Sequence, residues 1–128
     1  MVEDPRLEQG RALHRAGHVD EALALYDAVL AGDPAAYEAM HLKALAVFQR
    51  GKPADALALL DRAIEGRPDT ASYHLNRGVM LAAGGRNEAA LADFALASRL
   101  APDNADILYA TANAQTALGR LVEARDML

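Results

Sequence analysis

Glycine recurs in this chain at Gly17, Gly51, Gly85 and Gly119, four positions held at a constant 34-residue interval. Proline keeps the same interval at Pro34, Pro68 and Pro102. A period shared by two residues with such different backbone demands requires one supersecondary unit, repeated and stacked on itself. Further columns follow it: Ala22, Ala56, Ala90 and Ala124; Gly10, Ala44, Gly78 and Ala112; Tyr26, Leu60, Phe94 and Leu128.

Each period reads as two helices. In the second unit, a helix from about Tyr37 to Arg50 closes on Gly51, because glycine tolerates the left-handed backbone that ends many helices. Pro53 then falls in the first turn of the next helix, where its missing N–H has no partner to lose. Ala56, Leu57, Leu59, Leu60, Ala63 and Ile64 carry the three-and-four spacing of an amphipathic helix. Pro68 ends it, and Asp69 or Thr70 is placed to cap the helix that follows. Asp20 and Glu21, Asn87 and Glu88, and Asp103 and Asn104 open other helices with negative or capping groups. The pattern predicts helices near 3–16, 19–32, 36–50, 53–66, 70–83, 87–99, 104–118 and 121–128. The short connections make neighbours antiparallel. The small residues at position eight of each unit are expected to face the alanines at position twenty, letting the helices approach closely.

Composition agrees with helices in close contact. Apolar residues make up 52% of the 128, but aromatics only 5%, so alanine and leucine carry the core. With no cysteine, disulfide frameworks and thiolate metal sites are excluded. The net charge of −5, spread along the chain, argues against nucleic acid as the partner. No stretch is long enough to span a bilayer, and the first twenty residues hold no apolar run, so a cytoplasmic protein without membrane contact is expected. The alanine-rich, arginine-using composition suggests a bacterial source.

These columns resemble the tetratricopeptide repeat: a small residue at eight, glycine at fifteen, alanine at twenty, a bulky residue at twenty-four, a small one at twenty-seven and proline at thirty-two. The units count from Glu3, Tyr37, Ala71 and Ala105, and the third matches best, from Asn76-Arg77-Gly78 through Ala90, Phe94, Ala97 and Pro102. The resemblance implies an all-α, right-handed α-solenoid of antiparallel helix pairs. It would form a single domain over 1–128 with about 3.5 repeats: 3–36, 37–70, 71–104 and a truncated 105–128. The pattern departs from the family at position four (Arg6, Met40, His74, Leu108) and at position seven (Gln9, Lys43, Arg77, Thr111). The basic stems at seven are expected to lie along apolar surface with their charge in water. The break at Leu128, midway through a second helix, favours a piece of a longer protein over a chain whose raw end packs on another copy.

No catalytic constellation emerges, so the chain is not expected to be an enzyme and no cofactor is implied. The glycines are isolated or, at Gly84-Gly85, form a turn; none makes a phosphate-cradling loop. His14 and His18 have the four-residue spacing of a helical metal pair, but Gly17 lies between them and puts His18 in the turn. His41 and His74 sit in separate units without a third ligand.

By resemblance, the first helix of each pair lines a concave, partner-binding groove. Carried over residue by residue, that surface includes Leu7, Arg11, His14 and Arg15, then His41, Leu45 and Phe48. It continues through Leu75, Asn76 and Val79 to Tyr109 and Asn113. Leu45, Phe48, Leu75, Val79 and Tyr109 form an apolar stripe, and exposed apolar patches on soluble scaffolds mark interaction sites. The lysine and asparagine set with which some family members grip a terminal carboxylate is not reproduced. The expected function is a protein-interaction scaffold holding a peptide or partner segment, with Arg11, Arg15, Asn76 and Asn113 orienting it. Two alternatives remain. One is the amino-terminal repeat segment of a larger bacterial glycosyl-, methyl- or sulfotransferase. The other is a module that homo-oligomerises by stacking through its uncapped carboxy-terminal end.

Overall fold

The computed structural model describes residues 3–126, apart from the side chains of residues 123 and 124. Among them the chain is all-α, with seven helices: α1 (Pro5–Arg15), α2 (Val19–Gly32), α3 (Tyr37–Gln49), α4 (Pro53–Gly66), α5 (Ala71–Ala83), α6 (Asn87–Leu100) and α7 (Ala105–Asp126). The first six lie within a residue or two of the spans the period predicts. Two compact units result, Met1–Pro68 and Asp69–Leu128.

The turns between paired helices are made as the glycine column requires. Gly17, Gly51 and Gly85 have φ of 88°, 81° and 81°, the left-handed region where a side chain would be strained. The residue after each one donates its N–H five residues back: His18 to Leu13 (2.8 Å), Lys52 to Val47 (3.2 Å) and Arg86 to Leu81 (2.9 Å). These bonds satisfy carbonyls that a helix end would otherwise leave bare. At the helix starts, Asp4 accepts from the Arg6 N–H, and Asn104 Oδ1 accepts from the N–H groups of Asp106 and Ile107. Thr70 precedes α5 without a side-chain capping bond.

The fourth glycine behaves differently. A break at Gly119 and a new helix at 121 are expected, yet α7 runs through the position for 22 residues, and Gly119 is absent from the positive-φ set. Gly119 is followed by Arg120-Leu121-Val122-Glu123, and the helix continues through them. A single glycine inside a helix costs only about 1 kcal/mol, too little to stop one by itself. The closing members of two columns, the Ala124 side chain and Leu128, lie outside the described residues.

Unit 1 is built on Leu7, Val19, Ala22, Tyr26, Val29, Ala39, Leu42 and Ala46. Unit 2 buries Tyr73, Met80, Leu81, Ala90, Phe94, Ala97, Ile107 and Ala114. In α1–α2 and α5–α6 the closest approach differs from the expectation. A Cβ on Gly10 would strike the Tyr26 ring, and one on Gly78 the Phe94 ring. Position eight is therefore small to admit the ring at position twenty-four, and that ring, not the alanine at twenty, is its nearest neighbour.

Position seven also departs from the expectation. Arg77 does not hold its charge in water: its Nε and Nη2 donate to Asp93 Oδ2 and Oδ1 at 2.9 and 2.8 Å, and Asp93 is only 4% exposed. The Nδ1 of the buried His74 lies 3.9 Å from the same carboxylate. A forked, two-bond pair of this kind fixes α5 on α6 geometrically. In unit 1, Lys43 reaches Asp27 at 2.7 Å on the surface, joining α3 to α2. Two of the residues that break the family's leucine preference, Lys43 and Arg77, thus make ionic contacts instead.

Candidate functional site

Each unit carries one hollow lined by residues of the expected groove. In unit 1, α1 and α3 present Arg11, His14, Arg15, Leu45 and Gln49 around a hollow of about 410 Å³, with Tyr26 and Leu42 beneath. Its charges are already engaged. Arg11 lies 2.6 Å from Glu3, 3.2 Å from Glu8 and 3.6 Å from Glu38, while Arg15 lies 3.3 Å from Glu8. The hydrogen bond to Glu3, with Glu8 and Glu38 nearby, raises the Arg11 pKa further above its ordinary value. Bonds from Arg15 and then Arg11 hold the Glu8 carboxyl below its ordinary range. His14 Nε2 meets Gln49 Oε1 at 2.5 Å, and His41 Nδ1 meets Glu38 Oε1 at 2.9 Å. Below them the Tyr26 hydroxyl is enclosed without a hydrogen-bond partner, and burial pushes its phenol upward. Two guanidinium groups against three carboxylates leave this face no surplus positive charge.

Unit 2 makes a different surface. α5 supplies Leu75, Asn76 and Val79, and α7 supplies Tyr109 and Asn113, to one cleft of about 600 Å³. Val79 is 44% exposed and Tyr109 72%, large apolar area turned to solvent. Phe94 and Asn87 of α6 form part of the lining, with Ala110 and Ala114 of α7. No lysine or arginine lines it, and Asp106 is its one charged group.

The structure brings together five of the residues expected from the sequence in unit 2, namely Leu75, Asn76, Val79, Tyr109 and Asn113. In unit 1 it brings together Arg11, His14, Arg15 and Leu45. Leu7 and His41 are placed in the interior, at 4% and 6% exposure, and Phe48 is half-buried on α3. Asn87, Phe94, Ala110 and Ala114 were not foreseen in the cleft. The signal for Phe94 lay in Gly78, whose missing side chain lets the ring come forward. His18 stands at the start of α2, 3.6 Å from Glu21 and not beside His14. No group of three metal-ligating side chains occurs among the described residues. No helix there is long and apolar enough to cross a membrane.

The family model described as Tetratricopeptide repeat matches residues 7–69, 41–104 and 85–128. The chain belongs to the tetratricopeptide repeat family. Among curated proteins, DnaJ homolog subfamily C member 3 of Rattus norvegicus is 36% identical over 91 residues, which is 71% of this chain and 18% of that protein. A TPR repeat-containing thioredoxin of Arabidopsis thaliana is 38% identical over 79 residues, covering 62% of this chain and 12% of that one. The chain thus spans less than a fifth of the length of these relatives. Among solved structures, the first tetratricopeptide domain of Spaghetti, bound to an HSP90 peptide, superposes with a TM-score of 0.82 at 24% identity, covering 89% of this chain and 90% of that one. The O-GlcNAc transferase of Thermobaculum terrenum gives 0.83 at 31% identity, over 86% of this chain and 21% of that one.

Proposed function

We propose that this chain is a protein-interaction module whose unit 2 cleft holds an apolar peptide or partner segment, and that it performs no catalysis of its own. The observation that carries this reading is the open cleft between α5 and α7, where Val79 and Tyr109 are held out to solvent over Leu75. Each large side chain of a ligand covered there would contribute roughly 1.5–3 kcal/mol from apolar burial. Asn76 and Asn113 on the cleft walls would orient the ligand backbone.

The Spaghetti domain holds an HSP90 peptide of sequence SRMEEVD, which is acidic. The occupant proposed here differs in chemistry. Asp106 repels acid in the unit 2 cleft, and Arg11 in unit 1 is already shared among three carboxylates. Selection from a random peptide display library tests this. Enriched sequences should be apolar, and Val79→Asp should lower their affinity at least tenfold while SRMEEVD binds weakly or not at all. Enrichment of acidic sequences insensitive to Val79→Asp would reject the reading.

A second reading has its own support in the glycosyltransferase match. There a segment resembling this chain forms 21% of a larger enzyme, so the interaction module would serve a catalytic domain in the same polypeptide. The coding sequence flanking the chain decides between the two.

A further inference from the structure

The hollow of unit 1 and the cleft of unit 2 are built from the same columns two periods apart, so one is a template for the other. Arg11, His14 and Gln49 line the first; Val79, Ala82 and Ala117 stand in their columns and line the second. The acid at position two persists, as Glu38 in the first turn of α3 and Asp106 in the first turn of α7. In unit 1 the guanidinium of Arg11 reaches from α1 to Glu38 on α3, 3.6 Å away. In unit 2 the corresponding residue of α5 is the uncharged Val79, and Asp106 forms no ion pair among the described residues. Its carboxylate does not cap α7 either, because Asn104 Oδ1 takes the N–H groups of Asp106 and Ile107. Arg77, the basic residue of α5, is held by Asp93. The cleft has kept the acid of an ion pair and lost its base.

Resting on the reading of this cleft as a partner-binding site, we propose that the partner segment returns the base: an arginine or lysine set among apolar residues, its cation on Asp106 and its stem over Val79. Tyr109 stands three residues along α7 from Asp106, the spacing that puts both on one helix face. Its exposed ring offers a face to the same cation. A carboxylate between apolar walls holds a cation more strongly than one in open water, since less solvent screens the pair. The net charge of −5 further draws a basic segment toward the chain.

Peptides selected on the full chain from a random display library test this, measured by calorimetry against the wild type, Asp106→Asn, Val79→Ser and Val79→Arg. Enriched sequences should carry a basic residue beside apolar ones. Replacing that residue by norleucine should weaken wild-type binding about tenfold or more, and binding to Asp106→Asn less than about twofold. Val79→Arg gives unit 2 the internal pair that unit 1 already has, and should abolish binding. Helical circular dichroism should be unchanged in Asp106→Asn and Val79→Arg, since the carboxylate holds no other group and Val79 is half exposed. Apolar peptides without a basic residue, weakened about tenfold by Val79→Ser, would overturn the basic occupant and keep the cleft as a binding site. Recovery of no peptide sensitive to Val79→Ser would overturn both. A basic preference that persists in Asp106→Asn, or undiminished binding to Val79→Arg, would overturn the basic occupant as well.

Discussion

Units 1 and 2 are written in the same columns, yet they leave opposite surfaces for a partner. In unit 1 the charged side chains face outward and satisfy one another: Arg11 and Arg15 against Glu3, Glu8 and Glu38, and His14 against Gln49. In unit 2 the strongest ion pair, Arg77 with Asp93, turns inward between α5 and α6, and the cleft outside is left to Leu75, Val79 and Tyr109. The two units thus differ in where their charges lie, and the proposed apolar ligand rests on that difference.

The largest break in this comparison should come from the inward pair. Asp93→Ala removes the buried carboxylate that takes both bonds of the Arg77 fork and should cost about 1.5–3 kcal/mol in urea unfolding. Asp27→Ala removes the solvent-exposed partner of Lys43 in unit 1 and should cost less than about 1 kcal/mol. Equal losses would show that the two pairs are not placed as described.

Next come the ring contacts. Gly78→Ala drives a methyl group into Phe94, and Gly10→Ala drives one into Tyr26. Each should lower stability by about 1–3 kcal/mol, read as a fall in thermal midpoint. Here the two units should respond alike, because the contact is common to both.

Tyr109→Ala should shift stability by no more than about 0.5 kcal/mol, since the ring is 72% exposed, while weakening a cleft-bound peptide at least tenfold in calorimetry. Arg15→Ala in unit 1 should leave that affinity unchanged.

The smallest effect is the pH response of α1. Bonds from Arg6 hold Asp4, and bonds from Arg15 and Arg11 hold Glu8, below their ordinary values. Carboxylates depressed by folding contribute stability that is present above their unfolded pKa. That contribution is lost as pH falls through the folded pKa, so the loss begins below about pH 4. Amide exchange across α1 should accelerate there before exchange in α5 does.

Much of this was legible in the sequence, for identifiable reasons. The period located six helices because each left-handed turn requires glycine and the register carries that demand forward. Leu75, Val79, Tyr109 and Asn113 were reached through the resemblance to the repeat family, which assigns a groove to fixed positions of each first helix. The partners of charged residues were not. Nothing in the position of Arg77 distinguishes an inward fork to Asp93, sixteen residues on, from a stem lying along the surface. Nor does the sequence state that Arg11 is shared by three carboxylates, two of them close in the chain and one on α3. At Gly119 the column was present yet the helix continues through it, because one glycine costs a helix only about 1 kcal/mol.

The contrast between a self-satisfied face and an open one is tested most directly by methyl NMR. A library-selected apolar peptide is titrated into the full chain while the leucine and valine methyl groups are followed. The account predicts saturable shifts at Leu75 and Val79, with Leu45 of unit 1 unmoved. Shifts centred on Leu45, with Leu75 and Val79 unchanged, would contradict it.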